Sequence, residues 1–249
     1  GGGAKEMIDD GLMEEFGIQE VYGMHNMPGL ELGTFSIKEG DFFAAADTFS
    51  ITVKGKGGHA AKPQETIDPV LISSNIVMAL QSIASRNVSP IKNVVVSVCT
   101  FITDTDSFNV IPETVTLKGT VRTFEKEIRE STRKKLMQIS KSIAQSYGGF
   151  AEINYVTGYP VMKNSPIETE IVKGIAENVS GKSVVDAEKI MGAEDFSFML
   201  NSRKGAYILI GNGNSSSVHS PTYVFNDETL PIGASFWAEL IETRMRIND

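Results

Sequence analysis

Between Phe49 and Thr157 the spacing of apolar positions switches repeatedly between two residues and about 3.6, which is the signature of alternating strands and helices. TFSITVKG places Phe49, Ile51 and Val53 on one face of a strand. A helix follows from about Asp68 to Arg86, with Pro69 in its first turn and Val70, Ser74, Val77 and Leu80 along one face. NVVVSVCTFI reads as an apolar strand and ETVTLKGTVRTF as an alternating one. A charged helix then runs from about Lys126 to Tyr147, carrying Ile128, Leu136, Ile139 and Ile143, until Gly148 and Gly149 stop it. FAEINYVTG closes the stretch as a last strand. The order βαββαβ predicts a split βαβ, or ferredoxin-like, unit: a four-stranded sheet with both helices on one face.

The flanks follow a different pattern. IQEVYGMHN reads as a strand ending at His25. After the βαββαβ stretch come a helix from Ile167 to Val179, a short VVD strand, a helix opening at GAEDFSFML, an apolar strand AYILIG, and a helix from about Pro231 to Ile247. Flanks of like character on both sides of a self-contained unit predict one α/β domain in two sequence pieces, 1–46 and 158–249, with a second domain, 47–157, inserted between them. The opening GGGAKEMIDDGL runs straight into helix-patterned Ala4, Met7, Ile8 and Leu12, and reads as cut from the middle of a domain.

Composition narrows the class of partner. The 249 residues are 41% hydrophobic, enough for a sizeable core, and 23 basic against 31 acidic residues give a net charge of -8. That balance disfavours a broad nucleic-acid surface and leaves room for a local basic pocket, so a small-molecule partner is expected. Cys99 is the only cysteine, so no intramolecular disulfide forms, and a reducing compartment, the cytoplasm, is the expectation. No apolar run reaches the roughly 18 residues that span a bilayer, so no membrane partner is expected.

The candidate chemistry sits on three histidines, each in a short segment bounded by Gly or Pro: MHNMPG at His25, GKGGHAAKP at His59 and VHSPTY at His219. Taken singly, a histidine is more often a surface or satisfied residue than a ligand. Two that follow apolar runs far apart in sequence fit metal ligands assembled by a fold, and the third fits a group presented on a loop.

VYGMHNMPG, AAADTFSITVKGKGGHAAKP, DPV, ALQSIASRN, NVIPETVTLKGTVRTF, GYPVMKN, GAEDFSFML, GNG and VHSPTYVFND occur in this order. Together they resemble the carboxyl-terminal two-thirds of the metal-dependent N-acyl-amino-acid amidohydrolases, a group within the aminoacylase and carboxypeptidase clan that includes hippurate hydrolase and the auxin-conjugate hydrolases. The resemblance implies a metallopeptidase-type catalytic α/β domain, its N-terminal part missing, with an inserted ferredoxin-like dimerisation and lid domain. It implies two divalent ions, Zn or Mn foremost and Co or Ni next, and places His25 and His219 among their ligands. His59 is implied to act across a homodimer, donating a hydrogen bond to the oxygen that becomes anionic. Asn109 and Arg122 are implied to hold the substrate carboxylate, for which a guanidinium offers a planar fork. Glu194 is implied to lie near the metals without being a ligand, although acids at a helix start also cap free amides, which explains at least one of Glu194 and Asp195. Tyr223, Asn226 and Asp227 look structural.

The same resemblance puts two further ligands, in a CGHD-type motif, and a glutamate pair that supplies another ligand and the general base, upstream of this sequence. Cys99 does not replace them, because it lies in an apolar strand of the inserted domain. Two departures stand out: Gln64 where the family often has His, and an acidic Asp104-Thr105-Asp106 turn before Asn109. The implied reaction is hydrolysis of an N-acyl or N-aroyl amino acid. A dipeptidase or aminopeptidase of the same clan, and an inactive truncated chain serving as a dimerisation or ligand-binding module, are the alternatives. RNA binding by the ferredoxin-like unit is disfavoured, because NVVVSVCTF and VTLKGTVRTF lack the stacking aromatic pair.

Overall fold

The computed structural model describes residues 2–245, so the predicted end of the last helix at Ile247 lies outside the described residues. In chain order the elements begin with α1 (Gly3–Asp9), α2 (Leu12–Glu15), β1 (Glu20–Met27), β2 (Phe35–Ile37), β3 (Gly40–Phe43), β4 (Ala45–Lys54) and β5 (Gly58–His59). They continue with α3 (Pro69–Ser82), β6 (Val94–Thr103), β7 (Val110–Ile111), β8 (Thr114–Thr123), α4 (Lys126–Ser146) and β9 (Phe150–Thr157). The last are β10 (Met162–Asn164), α5 (Pro166–Ser180), β11 (Val185–Asp186), α6 (Phe196–Ser202), β12 (Lys204–Gly211) and α7 (Thr229–Arg244). Contacts divide the chain into two compact units. One holds the stretch up to Phe43, Met162–Ile190 and the stretch from Glu194; the other holds Ala44–Val161 and Met191–Ala193.

The first unit is built on a mixed sheet ordered β1-β12-β2-β11, in which β1 runs parallel to β12 and β2 antiparallel to it. β12 is buried along almost its whole length, because both of its faces are covered. Tyr207 and Leu209 join a cluster with Met13, Val21, Phe42, Met199 and Leu200, whereas Ile208 and Ile210 join Phe35, Val172, Ile175, Phe236 and Leu240. Burial on two faces is why this strand reads as a continuous apolar run rather than an alternation. Gly205 lets β1 approach: a Cβ there would stand 1.7 Å from the Val21 carbonyl oxygen. β1 runs two residues past His25, to Met27, where the sequence pattern ended it, because Asn26 and Met27 keep their pairing with Ile210 and Gly211.

The second unit is an antiparallel sheet ordered β6-β8-β4-β9 that shares one core with α3 and α4. On β4, Phe49, Ile51 and Val53 are buried at period two and meet Ile72, Ile76, Leu80, Leu136 and Ala144. Asp68 opens α3 by accepting hydrogen bonds from the amides of Val70 (2.8 Å) and Leu71 (3.3 Å). The buried stripe of α3 is Ile72, Ser73, Ile76 and Leu80, so the predicted face of Val70, Ser74, Val77 and Leu80 is rotated from the true one. Apolar residues occur nearly all round this helix, and the sheet, not the periodicity, selects which of them face inward. Ser74 points to solvent and bonds back to the Val70 carbonyl at 2.9 Å. At the end of α4, Gly148 turns the chain with φ +79°.

One polar feature of this core escaped the sequence pattern. Asp47 lies on the same face of β4 as Phe49 and is 1% exposed. Arg129 of α4 clasps its carboxylate two-pronged, through Nε (2.9 Å to Oδ2) and Nη2, while Tyr155 (2.7 Å) and the Gly158 amide (2.9 Å) donate as well. Burial by itself would raise the Asp47 carboxyl, but these donors outweigh it and hold it below the usual carboxylate range. Among the described residues, no helix is long and apolar enough to cross a membrane.

Candidate active site

In the first unit His25 sits on β1, opposite Leu209 of β12. Its Nδ1 lies 2.6 Å from the Asn26 carbonyl oxygen. A carbonyl only accepts, so Nδ1 carries the proton and Nε2 presents its lone pair, the tautomer in which Nε2 can ligate a metal. His25 and Asn26 line a cavity of about 470 Å³ together with Met24, Ile210, Phe225, Leu230 and Trp237.

The segment that carries His219 is tied to the same strand end. Asn212 holds it from both sides, donating to the Val224 carbonyl at 2.8 Å and accepting from the Asn226 amide at 2.9 Å, while its own amide reaches Met27 at 3.0 Å. Asn26 donates through Nδ2 to the Tyr223 hydroxyl, which fastens the residue next to His25 to the stretch after His219. Tyr223 and Asn226 therefore brace this loop, in line with the structural role expected of them. His219 itself is exposed and is the only described non-glycine residue with a positive φ, +67°. A left-handed histidine is uncommon and persists only where its surroundings fix it. Two imidazoles suit a borderline divalent ion, but two are too few: among the described residues, no group of three or more His, Cys, Asp or Glu side chains is arranged to hold a metal.

Glu194 precedes α6 and is held at both oxygens. Tyr207 donates to Oε2 at 2.9 Å and the Phe196 amide to Oε1 at 3.4 Å. Burial, and then the adjacent Glu194 charge, push the Tyr207 phenol far above its ordinary value. The two acids of GAEDF divide the capping between two helices. Glu194 serves α6, whereas Asp195 accepts the Ala4 amide of α1 at 3.0 Å, across a gap that only Gly2 permits, since a Cβ there would stand 2.2 Å from its Oδ2.

In the second unit β5 and β7 form a short antiparallel ribbon in which His59 pairs with Val110, the neighbour of Asn109. The ribbon needs glycine: a Cβ on Gly57 would come within 2.8 Å of the Ile111 carbonyl oxygen. The Asn109 carbonyl accepts the Ala60 amide at 3.0 Å, so His59 and Asn109 are brought together, both exposed. The Ala61 amide donates to His59 Nδ1 at 3.1 Å, so this ring carries its proton on Nε2 and offers a donor outward. The two histidines thus present opposite chemistry, a lone pair at His25 and an N–H at His59.

Arg122 lies on β8 between Ala46 of β4 and Val95 of β6. Its guanidinium reaches only the Val121 carbonyl, at 3.4 Å, and among the described residues no ion pair joins it to a carboxylate. Asp104 is occupied, accepting from the amide (2.9 Å) and hydroxyl (3.1 Å) of Thr114 across the hairpin. Gln64 is exposed on the turn Pro63–Glu65. Cys99 lies in β6 as expected, but faces outward at a β-bulge between Val98 and Thr100. Val94, Val96 and Val98 pack on the core, so the strand's own alternation already turns Cys99 to the outer face.

The model of the family described as "Peptidase family M20/M25/M40" matches residues 1–243. N-acetylcysteine deacetylase of Bacillus subtilis (strain 168) is 35% identical over 238 residues, covering 96% of this chain and 62% of that protein. Hippurate hydrolase of Campylobacter jejuni subsp. jejuni is 38% identical over 241 residues, covering 96% and 63%. A solved Bacillus subtilis structure described as a dinuclear metal binding peptidase from the M20 family is similar with a TM-score of 0.78 and 30% identity, covering 95% of this chain and 60% of that one. The chain therefore spans less than two thirds of the length of the curated relatives it matches.

Proposed function

The chain belongs to peptidase family M20/M25/M40, and from that premise we propose that it forms part of a metal-dependent amidohydrolase that cleaves N-acyl or N-aroyl amino acids into a carboxylic acid and a free amino acid. The observation that carries this reading is the opposite tautomers of His25 and His59, one fitted to bind a cation and the other to donate to an anion. Names of relatives support the substrate class, since one is an N-acetylcysteine deacetylase and another a hippurate hydrolase.

In this reading Ala44–Val161 is an inserted ferredoxin-like lid that also makes a homodimer, and the protein works in the cytoplasm. His25 and His219 are the residues of this chain that would hold two divalent ions, Zn or Mn foremost, together with further ligands, since two imidazoles are too few. When bound, such ions supply Lewis-acid polarisation of an amide carbonyl and an acidified water. His59 Nε2–H donates to the carbonyl oxygen as it gains charge, acting from the partner subunit. Arg122, with its fork free, takes the substrate carboxylate, and Asn109 adds a further donor. Glu194, fixed by Tyr207, contributes negative potential near His25 and His219 without being a ligand.

Metal content per chain, measured by plasma mass spectrometry after exchange into excess Zn or Mn and desalting, tests the centre. About two ions, lost in His25→Ala, support it. Near-zero content in the wild type favours the second reading, a chain that acts only as a dimerisation or ligand-binding module, which the lack of a three-ligand cluster among the described residues supports. Arg122→Ala should lower kcat/KM at least tenfold on N-benzoyl amino acids and far less on the matched neutral amides; equal losses would remove Arg122 from the carboxylate site. Faster turnover of free dipeptides than of acyl amino acids would move the enzyme to the peptidase side of the family.

A further inference from the structure

The ribbon of β5 and β7 presents more than His59 and Asn109. Phe108, the residue before Asn109, is 108% exposed, the most exposed of the described large apolar side chains. Val110, directly opposite His59, is 44% exposed. Single apolar residues scattered over a surface need no explanation, but two that flank a polar group on one short ribbon form a patch. The patch lies beside His59, since side chains directly opposite one another on paired strands stand roughly 5 Å apart at Cβ.

The chain around Phe108 is held in place without help from its ring. The Thr103 hydroxyl donates to the Thr105 carbonyl at 2.6 Å, and the Ser107 amide donates to the Thr105 hydroxyl at 3.2 Å. Asp104 ties the same turn to Thr114, and beyond Phe108 the Asn109 carbonyl accepts the Ala60 amide. These bonds fix the backbone on both sides, so an ordered turn presents the ring. A phenyl ring left in water forgoes the roughly tenfold to hundredfold gain in an equilibrium constant that full burial brings. The fold recovers none of that gain, because the side chain is wholly exposed.

The order of groups along the ribbon indicates which part of a ligand the ring meets. This step rests on the proposed hydrolase, in which His59 donates to the scissile carbonyl oxygen and Asn109 to the carboxylate. Val110 stands opposite His59, Asn109 comes one residue before it and Phe108 one before that, at steps of about 3.8 Å between Cα atoms. An N-acyl amino acid has the same order: acyl group and carbonyl first, carboxylate a few bonds on, and a side chain branching from the carbon that bears the carboxylate. Phe108 lies beyond Asn109 from Val110, at the amino-acid end of such a ligand and not at its acyl end. We infer that Phe108 is a specificity-determining residue that packs against the amino-acid side chain of the substrate. The preferred substrates are then N-acyl derivatives of large apolar amino acids, phenylalanine and leucine among them, because the gain from a phenyl contact grows with the apolar area covered.

The test measures kcat/KM on N-acetylphenylalanine, N-acetylleucine and N-acetylglycine, with N-benzoylglycine as a control for the acyl end. Phe108→Ala should lower kcat/KM roughly tenfold or more on the first two and less than about twofold on N-acetylglycine. The ratio of N-benzoylglycine to N-acetylglycine should stay unchanged, and Phe108→Leu should keep most of the preference for large side chains. The thermal midpoint and the mass in light scattering should match the wild type, since the side chain is wholly exposed. Equal losses on all four substrates, or a change confined to the benzoyl-to-acetyl ratio, overturns the inference. So does a loss of activity that follows dissociation of a homodimer, which would make Phe108 a contact between copies of this chain. Wild-type turnover with the same preferences in Phe108→Ala overturns the inference and leaves the hydrolase standing. An absence of wild-type turnover on all four removes the hydrolase reading, and this inference with it.

Discussion

The two units solve the burial of a sheet differently. In Ala44–Val161 every strand of the main sheet is antiparallel, only one face is packed, and a single core joins the sheet to α3 and α4. In the other unit β12 divides two separate cores, each face needs its own cover, and the edge strand β1 is left half-buried. A one-sided antiparallel sheet closes its core with local neighbours, whereas a sheet packed on both faces draws its cover from segments far apart in sequence. Here those segments are α1 and α6 on one side and α5 and α7 on the other.

The contrast is sharpest if the one charged pair inside the self-contained core is broken. Asp47→Ala leaves the largely buried Arg129 without its carboxylate and should cost about 3–5 kcal/mol in urea unfolding, confined to signals from this unit. The same carboxylate sets an acid limit. Its carboxyl lies lower in the folded protein than in the unfolded chain, so its contribution is complete above about pH 4–5 and is lost as the pH falls through the folded value. Asp47→Asn should remove that part of the acid sensitivity, and an unchanged pH profile would show that other carboxylates dominate it. In the other unit, Gly205→Ala should cost about 1–3 kcal/mol by driving β1 from β12, visible as faster exchange of the β1 amides with the second unit unaffected. The smallest effect expected is from Tyr223→Phe, about 1 kcal/mol, with loosening of the loop around His219.

Much of the βαββαβ stretch was legible because its strands alternate and its helices carry caps. Asp68-Pro69 begins α3, and Gly148-Gly149 ends α4. The two residues of its buried ion pair were legible in principle as well. Asp47 keeps the period of Phe49, Ile51 and Val53, and Arg129 stands one turn before the buried stripe Thr132, Leu136, Ser140 and Ala144. A charge on a core-facing register is a signal that it has a partner, but periodicity does not say which one. The rotated face of α3 has a related cause: where apolar residues surround a helix, its moment is weak and the sheet beneath it chooses.

At the candidate site, the residue types and their chain positions came from the sequence, together with the glycines that make the ribbon of His59 and the loop after β12 possible. Tertiary structure decided the chemistry each group presents. The Asn26 carbonyl turns a lone pair outward on His25, the Ala61 amide turns a proton outward on His59, and among the described residues no carboxylate pairs with the fork of Arg122. A sequence specifies local conformation through short-range sterics and hydrogen bonds, so strands, caps and turns can be read from it. Which ring nitrogen is protonated, which charge is paired and which edge is left bare depend on neighbours that only the fold supplies.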